Sequence, residues 1–240
     1  MGAGHPSTPR PPRRVRRAGS LELRRSAEAL LRADDFEERL AAWIQFPARR
    51  VVAPLLSFLC SPEEIVKWRA VRALGVVVSR LADEDLESAR VVMRRLMWSL
   101  AEESGGMGWG APEAMGEIMA RHEGLAGEFW HVLLSYVRED GNRLDNDLLL
   151  RGVLWGLGRL AQARPRRLSD CARHLEPFLA SADAALRGLA WWALARAGSA
   201  PSPARAQALR GDQAGFSLYL DGKLISCRVC DVATLPAGRP

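Results

Sequence analysis

Four stretches of this chain share one eight-residue pattern: WRAVRALG at Trp68–Gly75, WGAPEAMG at Trp109–Gly116, RGVLWGLG at Arg151–Gly158 and GLAWWALA at Gly188–Ala195. Their starts lie 41, 42 and 37 residues apart. A period of that size is the mark of a helical-pair solenoid, in which each unit buries its apolar stripe only against its neighbours. It points to an architecture and a binding surface, and brings no catalytic motif with it.

Set in register, the four segments separate core from surface. Val71, Leu74 and Val77 match Met115 with Ile118, Leu154 with Leu157 and Leu160, and Trp191 with Leu194. One column is small throughout (Ala73, Ala114, Gly156 and Ala193), which lets neighbouring helices approach closely. The other face carries Trp68-Arg72, then Trp109-Glu113-Glu117, Arg151-Trp155-Arg159 and Trp192-Arg196. Side chains four apart lie one above another on a helix. In stacked repeats the second (B) helices line the concave wall, so these ten residues predict a ladder of Trp, Arg and Glu along a groove. Trp and Arg dominate binding hot spots, and alternating charge suits a protein or peptide better than a uniformly anionic partner.

Outward from the pattern, the sequence predicts an all-α solenoid of about four repeats over 20–198. Its N-terminal helical pair spans Leu21–Arg32, with Ser20 as N-cap, and Phe36–Gln45. The repeats pair Arg49–Leu59 with a helix opened by Ser61-Pro62 and running to Leu81, Leu86–Glu103 with Ala111–Arg121, Glu128–Val137 with Asn146–Ala163, and Ser169–Ala180 with Ala184–Ala197. Residues 199–215 read as a linker or a short helix. Phe216–Val232 alternates in strand fashion about Asp221-Gly222, a favoured hairpin turn, and 216–235 predict a β-hairpin capping the end of the array.

Charge is uneven. The net +6 owes five arginines to the first twenty residues, which hold no acid; the rest carries only +1. The folded part therefore lacks the basic surface usual in nucleic-acid binding. Residues 1–19 predict a disordered basic arm, through which nucleic acid is a possible partner though not the favoured one. This stretch has no apolar core of a secretory signal, and no run of eighteen apolar residues predicts a membrane span. The expected compartment is the cytoplasm, with reduced thiols. Cys227–Cys230 is a lone CxxC and Cys171–His174 a CxxH, four soft ligands in number. A strand would point Cys227 and Cys230 to opposite faces, so no metal and no cofactor are expected. The loop Gly105–Gly110 precedes a helix but lacks the Gly-Lys-Ser/Thr of a phosphate-binding loop.

Over Arg49–Gly198 the pattern resembles the HEAT-repeat superfamily, including the short HEAT-like units of phycobilin lyases. The whole chain is similar to a HEAT-like family from sulfate- and metal-reducing bacteria, with GGMGWGAPEAMGEI its most distinctive stretch. These resemblances imply the fold and a non-catalytic scaffold; a cofactor chaperone of the bilin-lyase kind is implied by fold alone. HEAT-like DNA glycosylases that excise alkylated purines offer the enzymatic alternative. They use a Trp-x-x-x-Asp pair and a later Trp, which Trp109, Glu113 and Trp192 match except that the acid is Glu. Glu117, one turn beyond Glu113, would repel a phosphate backbone.

Overall fold

The protein is an all-α helical-repeat solenoid ending in a two-stranded hairpin. Its structure, a computed structural model, describes residues 19–101 and 108–235. Residues 1–18 of the basic arm and Gly105–Met107 of the glycine-rich loop lie outside the described residues. The N-terminal pair is α1 (Ser20–Arg32) and α2 (Phe36–Trp43), joined by a hydrogen bond that Trp43 Nε1 donates to Ser26 Oγ at 3.0 Å. Gly19, not Ser20, takes the N-cap of α1, and its N–H donates to Glu22 Oε2 at 3.0 Å.

The repeats follow as α3 (Ala48–Leu56) with α4 (Glu64–Glu84), α5 (Leu86–Ala101) with α6 (Ala111–Arg121), and α7 (Glu123–Ser135) with α8 (Asp147–Ala163). The fourth pairs a short α9 (Ala172–Leu175) with α10 (Ala184–Arg196). Several boundaries differ from the sequence expectation, three of them for reasons the local contacts show. Helix α4 starts at Glu64, because Ser61 Oγ accepts the N–H of Glu63 at 3.2 Å in a local turn. Helix α7 starts five residues early, because His122 Nδ1 caps it by accepting from Leu125 N at 3.1 Å. The fourth outer helix breaks at Glu176 into a 3₁₀ segment to Ala180, since Pro177 has no N–H to continue the α-helical ladder.

Helices α4, α6, α8 and α10 pack side by side as the B layer, with α3, α5 and α7 against one side of it. The core columns lie there as their spacing predicts: Val71, Leu74, Met115, Ile118 and Leu157 are fully buried and Leu194 is 1% exposed. α6 and α8 approach so closely at Gly116 and Gly156 that a Cβ on Gly116 would sit 2.3 Å from the Gly156 Cα. No helix among the described residues is long and apolar enough to cross a membrane.

The 199–215 stretch is not all linker: Pro203 at the first helical position opens α11 (Pro203–Arg210). After it, β1 (Gly215–Leu220) pairs antiparallel with β2 (Lys223–Arg228), Leu220 opposite Lys223. The turn between them has positive φ at both Asp221 (49°) and Gly222 (81°), the geometry whose twist matches the strands. The strand pattern was expected to run on to Val232. Instead Val229–Thr234 forms a 3₁₀ turn, which puts Val229 and Val232 on one face, both fully buried against α10. This turn covers the end of the array. The hairpin goes further and lies across the B-helix face, as described next.

Candidate binding groove

The ladder residues converge because their helices are neighbours. The Trp68 ring on α4 reaches that of Trp155 on α8 across the intervening α6, with centroids 4.7 Å apart, and Trp155 lies 6.4 Å from Trp192 on α10. Their environment is not a solvated wall. Trp68, Trp155 and Trp192 are buried, as are Glu113, Glu117 and Arg159; of the ten ladder residues Trp109 is the most open, at 40%.

Each buried carboxylate of α6 has a glycine facing it. A Cβ on Gly75 would fall 2.4 Å from Glu117 Cγ, and one on Gly152 would fall 2.5 Å from Glu113 Oε2. The repeat pattern therefore carries small residues where a neighbouring unit inserts an acid. Glu117 accepts from Arg159 Nε at 2.7 Å and Arg121 Nε at 2.5 Å, with Arg72 Nη1 at 3.6 Å. Burial pushes its carboxyl above the ordinary range, against the opposing pull of Arg159 and Arg72. Arg72 also forks onto Glu37 at 3.2 and 3.3 Å, tying the array to α2. Glu113 pairs with Lys67 Nζ at 3.3 Å, and that ammonium sits 4.4 Å from the Trp68 ring centroid, in cation–π range. Arg151 pairs with Asp183 through Nε at 2.9 Å, and Arg196 donates to the Leu235 carbonyl.

The hairpin occupies the middle of this face. Tyr219 stacks flat on Trp68, at 4.8 Å and 5° between planes, and its carbonyl accepts from Trp155 Nε1 at 2.9 Å. Phe216 fills the space over Gly188 of α10. What remains are two cavities divided by β1 and Trp155. One, about 590 Å³, is lined by Lys67, Trp68, Trp109, Glu113, Arg151 and Asp183 among others. The second, about 310 Å³, is lined by Arg72, Glu117, Arg121, Arg159, Trp192 and the hairpin tip. Trp109 and Glu113 thus line one cavity and Trp192 the other. The three residues matched to a glycosylase do not share a site.

Lys67, Asp183 and Tyr219 complete the groove and were not singled out from sequence. Asp183 was legible as the N-cap of α10, where Oδ1 accepts from Ala185 N at 2.7 Å and Leu186 N at 3.2 Å. Tyr219 was legible in the near-continuous apolar run Phe216–Leu220, which signals a strand covered on both faces. Among the described residues no three His, Cys, Asp or Glu cluster as a metal site. Burial pushes the Cys171 and Cys227 thiols up to about 11, so both stay protonated near neutrality.

No family model matches the chain. An uncharacterised protein of Archaeoglobus fulgidus is 30% identical over 108 residues, covering 45% of this chain and 52% of its own. The chain thus spans about half the length of that curated relative. Two engineered proteins with crystal structures are also similar. One is 16% identical with a TM-score of 0.48, over 80% of this chain and 92% of its own; the other is 19% identical with a TM-score of 0.43, over 78% and 83%.

Proposed function

We propose that the protein is a non-catalytic, HEAT-type scaffold that holds a protein or peptide segment against its B-helix face. One observation carries this reading: the face already seats an extended strand, with an indole under a tyrosine ring and an indole N–H on a strand carbonyl. Those are the contacts by which grooves take peptides, aromatic anchors in pockets plus hydrogen bonds to the backbone. The 590 Å³ cavity continues this surface beyond β1 and is walled by three tryptophans, of which Trp109 is accessible. Its carboxylate, Glu113, is engaged by Lys67, which suits a binding wall better than a group awaiting a sugar.

The test is selection of displayed peptides against the intact chain. Selected peptides should lose about 2 kcal/mol of affinity on Trp109→Ala, the cost of truncating a hot spot, with helix content unchanged in circular dichroism. Failure to select any binder, or binders indifferent to Trp109→Ala and Glu113→Gln alike, would sink the reading.

A further inference from the structure

The hairpin covers the groove while leaving polar groups stranded beneath it. Trp68 Nε1, Arg159 Nη1, Trp192 Nε1 and the Tyr219 hydroxyl are all buried without a hydrogen-bond partner among the described residues. Three of these residues, Arg159, Trp192 and Tyr219, line the cavity at the hairpin tip. Covering a donor without supplying an acceptor forfeits its hydration. The docked hairpin is therefore held less firmly than its aromatic contacts alone would suggest. Its base is held separately, by Val229 and Val232 against α10 and by the Cys230 N–H on the Asp212 carbonyl at 2.9 Å. The contacts that seat residues 215–228 on the face are thus separate from those that hold the 3₁₀ turn.

The seated segment also shows what chemistry the face accepts. Tyr219 stacks on Trp68, and two residues on Asp221 brings its charge to Arg196. The floor at that end presents Arg72, Arg121 and Arg159 around the single buried carboxylate of Glu117. Glu37 also lines this end and takes the fork of Arg72, so with Arg196 four guanidinium groups face two carboxylates, and an incoming acid meets a net positive charge. We propose that the hairpin is an exchangeable occupant of the groove, replaced by a partner segment with an aromatic residue followed two positions later by a carboxylate, as in Tyr219-Leu220-Asp221. This rests on the scaffold reading above and adds to it the partner's chemistry and a built-in competitor.

The experiment uses the full chain and a fluorescent peptide with the sequence of residues 215–222, read by anisotropy. An internal competitor lowers apparent affinity by the fraction of time it vacates the site. Tyr219→Ala should therefore bind the peptide at least about tenfold more tightly than the unaltered chain. Replacing the peptide's Tyr by Ala, or its Asp by Lys, should abolish the gain. Gly188→Ala is the second variant: its methyl would sit 2.2 Å from the Phe216 ring and dislodge the hairpin, while Ala favours helix α10. It decides the matter if Tyr219→Ala does not fold. The proposal is overturned if neither folded variant gains affinity, or if a scrambled peptide binds equally well. Display-selected peptides that need Trp109 while neither hairpin variant gains would leave the scaffold standing and make the hairpin a permanent wall.

Discussion

Asp183 does two jobs with one carboxylate. One oxygen caps α10 and the other pairs with Arg151 across the repeat boundary. Burial alone would raise its carboxyl, but the Arg151 guanidinium and the N–H groups of Leu186 and Ala185 outweigh it and hold it below the ordinary range. A depressed carboxylate stabilises the fold above its unfolded value of 3.8, and that contribution is lost as pH falls through the folded one. Asp183→Ala should cost about 1–2 kcal/mol in urea unfolding at pH 7. Asp183→Asn keeps the cap, so it should cost less and should flatten the acid limb below about pH 4. Glu117 runs the other way. Its carboxyl is raised, so its contribution declines as pH rises from 4.5 toward the folded value. Truncation does more than remove the charge, because it leaves Arg159, whose side chain is 9% exposed, with no acceptor there, and Glu117→Ala should cost about 3 kcal/mol or more at pH 7. Glu113→Ala should cost less than half of that, because Lys67 is 21% exposed and keeps access to water. Equal losses in the two variants would contradict this account.

At the level of elements, the B helices were the most legible part of the sequence. Their periodicity is enforced by the close approach of α6 and α8, where Gly116 and Gly156 meet backbone to backbone. Gly116→Ala should therefore destabilise the chain by about 3 kcal/mol or prevent folding, as overpacking without a flexible neighbour does. Thermal unfolding of that variant beside Gly188→Ala, where only a side-chain ring is in the way, should separate the two effects. The outer helices were less legible, because their ends depend on caps that composition does not announce: a histidine nitrogen begins α7 and a proline divides the fourth. The groove residues were readable as a set, since helical spacing alone aligns them. Their burial was not. For Glu113, Glu117 and Trp192 it comes partly from the facing glycines of neighbouring helices; for Trp68 and Trp155 it comes from a strand that begins almost 150 positions beyond Trp68, and no local pattern says on which face a hairpin will land.

For the whole molecule, that landing changes how the array holds together. A repeat array gains its cooperativity from contacts between neighbours. The hairpin touches α4 through Trp68, α8 through Trp155 and α10 through Phe216, so it braces units that are not adjacent. Tyr219→Ala should loosen the first repeats from the last. Unfolding followed by circular dichroism and by tryptophan fluorescence should then no longer coincide, whereas in the unaltered chain the two curves should overlay. A single coincident transition in the variant would mean that neighbour packing alone couples the array.

The same brace sets an order of events during synthesis. At the usual pace of translation, the stretch from Trp68 to Tyr219 takes roughly 8–30 s to make. Repeat units can pack as they emerge, but their shared face has no strand to cover it until residues 215–228 clear the ribosome. Every newly made copy thus passes through an interval in which the indoles stand bare, open to a partner or a chaperone. A nascent chain stalled with residues up to about 200 outside the exit tunnel should capture the Tyr-Leu-Asp peptide that the finished chain binds more weakly, and release it when translation resumes.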